Sequence, residues 1–146
     1  MIAQTIQLAL APVFLLVAIS NIMNILSVRL GRIVDRSRAL QDRHGVTEGM
    51  EHDRLVAEIR SIDRRIVMVG RAIALLVLSG LIVGVTVTLL FVEEIGRFDL
   101  HGVAALTFLV AIGLLMWALL LFLRETQLAA ASLRIPEHLL ELDRTL

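Results

Sequence analysis

The segment Arg29-Leu30-Gly31-Arg32-Ile33-Val34-Asp35-Arg36 concentrates four charges at the end of a long uncharged stretch. On a helix, residues three, four and seven apart share a face, so Arg29, Arg32 and Arg36 line up with Asp35 beside them. Guanidinium groups in this setting have two uses. Repeated around an oligomer, they form a charged ring at a pore mouth or a site for anionic lipid headgroups. Alternatively they snorkel to the interface, fix the depth of the helix and pair with nearby acids such as Asp35, Glu58 or Asp63.

Just before this cluster stand Ser20, Asn21, Asn24 and Ser27. At about 100° per residue they span about 120° of one helix. Amide groups in hydrocarbon are costly unless satisfied. The stripe must therefore face other helices, another subunit or water, as interhelical hydrogen bonding or as a water-lined path.

Gly80 and Gly84 form a small-xxx-small motif suited to close helix packing, with Ser79 beside it. Thr86 and Thr88 are placed to hydrogen-bond to their own helix. His44 and His52 lie among Asp42, Glu48, Glu51 and Asp53. Imidazole and carboxylate can hold a divalent ion, but this spacing fits no metal loop and reads as a polar turn. His101 and His138 read as interfacial. The sequence contains no phosphate loop, zinc motif, nucleophile elbow or dinucleotide fingerprint. No catalytic residue, metal or cofactor is expected, and the chain is not read as an enzyme.

These residues need elements to position them. Hydrophobic residues make up 58% of the 146 and charged residues 19%, whereas soluble domains run at about 45–50% and about 25%. The mean hydropathy of +0.85 points the same way, to a membrane protein. With 14 basic residues balanced by 14 acidic ones and no tyrosine, nothing suggests a nucleic-acid partner. The absence of cysteine excludes disulfides and thiolate chemistry.

Three uncharged runs, Met1–Val28, Ala72–Val92 and Gly102–Leu123, give spans at about 12–30, 70–92 and 102–123. A run of 21 helical residues reaches roughly 32 Å, enough for a hydrocarbon core of about 30 Å. Pro12 interrupts the first run. It implies either a kink or a helix that has Pro12 in its first turn. The first run lacks the basic start of a signal peptide, so it reads as an uncleaved span.

Ten arginines lie in residues 29–71, one in the connection 93–100 and three after Leu123; the chain has no lysine. By the positive-inside rule the connection 31–69 and the tail 124–146 are cytoplasmic, and the amino terminus is outside. The connection reads as a helical hairpin. Its second arm sets Leu55, Ile59, Ile62, Ile66 and Val69 on one seam, and His44-Gly45 and Glu48-Gly49 mark its turn. In the tail, Pro136 and the face Ile135, Leu139, Leu142 and Leu146 suggest a short amphipathic helix.

The first span with its Pro12, "RLGRIVDRSRAL", "RRIVMVGRAIALL" and "FLRETQLA" together resemble bacterial membrane proteins grouped as domain of unknown function 2721. The resemblance covers most of the chain, and Arg29, Gly31, Arg32, Asp35 and Arg36 match its signature. It implies a multi-span protein of a bacterial cytoplasmic membrane and no activity.

The expectation is an all-α, three-span membrane protein forming a single domain and a homo-oligomer. Two functions fit it. The first choice is a small oligomeric ion channel lined by the first span, because the polar stripe and the charge cluster lie on consecutive turns of one helix. The other is a structural or regulatory scaffold whose hairpin docks a partner or anionic lipid at Arg29, Arg32 and Arg36. The topology is also similar to that of proton-channel subunits in bacterial energy-transducing motors, although no carboxylate lies within a span.

Overall fold

In a computed structural model the described residues are 2–96 and 99–132, and they form three helices. These are α1 (Ile2–His44), α2 (Gly49–Gly96) and α3 (His101–Ser132). All three are long and apolar enough to cross a membrane. The tail helix expected around Ile135–Leu146, Arg97 and His138 lie outside the described residues.

The helices run on from the uncharged runs into the hairpin, as the lack of a break signal there suggests; the departure is at the amino end, where α1 begins ten residues before Pro12. α1 has 43 residues and α2 has 48, so they extend roughly 64 Å and 72 Å. Each continues well past its uncharged run into charged sequence. Gly31 does not break α1, and a Cβ there would meet nothing within 4 Å. Pro12 is interior to α1, not in its first turn. It has no amide hydrogen to offer the Leu8 carbonyl.

One periodicity organises the buried side chains. In α1, Thr5, Pro12, Ile19, Leu26, Ile33 and Leu40 are buried, each seven residues from the last. In α2 the series is Leu55, Ile62, Val69, Leu76 and Val83, with a second series Ala72, Ser79 and Thr86. In α3 it is Ala104, Ala111, Ala118 and Glu125. A strict seven-residue repeat is the signature of helices wound around one another with a left-handed supercoil. The seam foreseen over 55–69 is therefore one part of a longer one, with Ile59 and Ile66 packed on its flank.

α2 is the central helix and packs along both α1 and α3. α1 and α2 run antiparallel, because Arg36 meets Glu58 at 2.7 Å and Arg43 meets Glu51 at 3.4 Å. The turn between them hydrogen-bonds the Val46 amide to the Arg43 carbonyl at 3.1 Å. Gly49 begins α2 at φ 64°, a backbone conformation that an L side chain adopts only at a cost.

Small residues let α3 approach α2. The Ser79 hydroxyl donates to the Ala111 carbonyl at 2.7 Å. The Thr86 hydroxyl lies 3.0 Å from the Ile82 carbonyl and 2.9 Å from Thr107 Oγ1, its one proton shared between the two acceptors. Thr88 bonds back to the Gly84 carbonyl at 3.0 Å, so both threonines bond within their own helix as expected.

Candidate functional site: a three-helix carboxylate clamp

The seven-residue series of α3 ends on an acid. Glu125 follows Ala104, Ala111 and Ala118 at the same spacing, so the helix carries its carboxylate into the seam and leaves it 0% exposed. Arg29 reaches it from α1, with Nη2 2.9 Å from Oε2. Arg65 reaches it from α2, with Nε 3.1 Å and Nη2 3.0 Å from Oε1. The Arg29 guanidinium also lies 5.2 Å from the centroid of the Phe122 ring, one turn earlier on α3, within range of a cation–π attraction.

A buried carboxylate needs charge and hydrogen bonds to offset its lost hydration. Here two cations supply both, and the group carries a net charge of about +1 that the partly exposed arginines share with solvent. Both oxygens are engaged. The chemistry this permits is that of a fixed counter-charge joining all three helices at one level.

A second polar layer closes the other end. Thr5 donates to Glu94 Oε2 at 3.0 Å, and His101 Nδ1 is 2.9 Å from Glu93 Oε1. Glu93 Oε2 is buried with no hydrogen-bond partner among the described residues. Between Arg65 and Glu93 α2 advances 28 residues, roughly 42 Å, which matches a bilayer of about 40–45 Å with its headgroup regions.

The sequence-predicted residues distribute around this clamp unequally. Arg29 and Arg36 are paired, to Glu125 and Glu58. Arg32 and Asp35 are exposed, and neither has an ion-pair partner among the described residues. Asp63 is exposed and takes no arginine, and Glu58 pairs with Arg36. Ser20, Asn21, Asn24 and Ser27 all lie on the exposed side of α1, with no side-chain hydrogen bond among the described residues. A Cβ at Gly80 would meet Leu16 and Ile19 at 3.7 and 4.0 Å, while one at Gly84 would meet nothing within 4 Å. The His44 and His52 rings stack at 4.6 Å and a tilt of 59°. Among the described residues no three His, Asp or Glu side chains gather as metal ligands.

Glu125 and Arg65 escaped the sequence reading, which looked for acids within the hairpin. The signal was present in α3 as three alanines and a glutamate at a spacing of seven.

Three helices, each long and apolar enough to cross a membrane, joined through a buried ion cluster define an all-helical protein compatible with a membrane setting. The chain belongs to the family described as Protein of unknown function (DUF2721), whose profile matches residues 9–135. No curated protein and no solved structure matches it.

Proposed function

We propose that the chain is a homo-oligomeric scaffold of a bacterial cytoplasmic membrane, with the α1–α2 extension held in the cytoplasm as a docking arm. The observation that carries this reading is the placement of Asn21 and Asn24. They project from α1 at membrane depth with no side-chain partner among the described residues. An amide both donates and accepts, so the same stripe on a second copy satisfies it, at about 0.6–2 kcal/mol per contact. The extension gains its stiffness from the seam and from Arg36–Glu58, and the arginine bias supports its cytoplasmic side.

The absence of native cysteine makes the test direct. Asn24→Cys in membranes should give a disulfide-linked dimer on mild oxidation, while Leu120→Cys, exposed on α3, should not. Equal crosslinking at both positions, or none at either, overturns the reading. A reporter within Gly45–Gly49 should give a cytoplasmic signal, and an outside signal would reverse the orientation.

A channel lined by α1 is the second reading. The free Arg32, one to two turns beyond Asn24 and Ser27, favours it. It requires anion flux through protein-containing liposomes, shifted toward cations by Arg32→Glu.

A further inference from the structure

Beside the clamp, where α2 meets α3, α2 carries a second concentration of arginine. A groove of about 320 Å³ is lined by Ala57, Arg60, Ser61, Arg64 and Arg65 of α2 and by Leu128 of α3. Arg65 is turned inward to Glu125. Arg60 and Arg64 have no carboxylate partner among the described residues. They are one turn apart on the same face, where like charges repel. Arg71 follows seven residues later on that face, at the start of the uncharged run.

Depth selects the ligand. Arg64 lies at the Glu125 layer and Arg60 about 8 Å to its cytoplasmic side along α2, at the outer edge of the headgroup region, from which both long side chains reach toward the lipid phosphates. Two unpaired guanidiniums and a serine hydroxyl suit a phosphodiester, because guanidinium N–H groups fit its oxygens in pairs. From Leu128 the same face of α3 runs back through Leu121 to Trp117, toward the hydrocarbon. We propose that this groove holds the headgroup of an anionic phospholipid such as phosphatidylglycerol. The headgroup site then lies on α2 and not on α1, where Arg29 and Arg36 are already engaged by Glu125 and Glu58.

α3 contains a natural reporter. Trp117 is the sole tryptophan and is exposed. It precedes Leu128 by 11 residues, close to three turns, so it shares that face roughly 16 Å closer to the middle of the bilayer. The acyl chains of a lipid seated in the groove pass beside it.

The experiment places the full-length protein in vesicles containing phosphatidylglycerol or phosphatidylcholine brominated on the acyl chains and reads quenching of Trp117. Phosphatidylglycerol should be preferred about fivefold or more, the worth of one interfacial arginine. Arg60→Gln with Arg64→Gln should remove the preference, and Arg38→Gln, farther from the bilayer, should not. Because both groove arginines are exposed, the double variant should keep its fold, which circular dichroism checks. Equal quenching by the two lipids overturns the proposal. So does a preference that survives the double variant but is lost in Arg32→Gln, or one abolished by millimolar glycerol phosphate, which would mark a site for a soluble phosphate.

Discussion

Arg29 and Glu125 are 96 residues apart in the chain and 2.9 Å apart in the structure. The contact connects the first helix to the third, which otherwise both lean on α2. Removing the acid leaves two cations facing each other in a partly buried site, and breaking such a group costs about 3–5 kcal/mol when fully buried. With Arg29 and Arg65 still partly exposed, Glu125→Gln is expected to cost about 2–3 kcal/mol. Arg36→Gln breaks an exposed pair and should cost less than about 1 kcal/mol. Unfolding of the full chain in detergent measures both, and equal losses would show that Glu125 is solvated.

Ser79 and Ala111 give a second prediction. Ala111→Leu adds bulk where α3 rests on α2 with 0% exposure, and should destabilise by about 1–3 kcal/mol. Ser79→Ala removes only the hydroxyl that donates to the Ala111 carbonyl, and should cost about 0.6–1.7 kcal/mol. A tolerated Ala111→Leu, read in the same unfolding assay, would mean that the two helices are not in close contact there.

Two glycines should respond in opposite directions. Gly31 is helical with open space around it, so Gly31→Ala should stabilise by about 0.5–1 kcal/mol. Gly49 sits at φ 64°, so Gly49→Ala should destabilise by about 1–2 kcal/mol. Thermal melts followed by circular dichroism separate them. The same sign for both would indicate that α1 is interrupted at Gly31 or that the turn takes another form.

Membrane helices hide their packing code, and this chain shows where. Over residues 55–69 the seam was legible because Leu and Ile alternate with charges, so periodicity has contrast. Over 72–92 every position is uncharged, and the inward face is marked only by the small or hydroxyl side chains of Ala72, Ser79 and Thr86. The three apolar helices follow from composition. The pairing of Arg29 does not, because a buried acid recruits its cations by tertiary proximity, and Glu125 stands just beyond the uncharged run that drew attention to α3. The exposed position of the Asn21–Asn24 stripe needed the seam first. Once Ile19 and Leu26 are known to face α2, the amides must turn away from it.

The seven-residue register has a mechanical consequence. A straight helix drifts by about 20° per heptad against this repeat, so over the five heptads from Thr5 to Leu40 α1 must wind through about 100° to keep its seam on α2. With no break in phase between its apolar and charged halves, α1 is one continuous rod along α2. The seam that begins at Thr5 among apolar residues is still in phase at Leu40, one turn before the Arg43–Glu51 pair that joins α1 to α2. Inserting one residue after Arg32 would throw everything beyond it about 100° out of phase, whereas inserting seven would return the same face to α2 but slide Arg36 and Arg43 roughly 10 Å past Glu58 and Glu51.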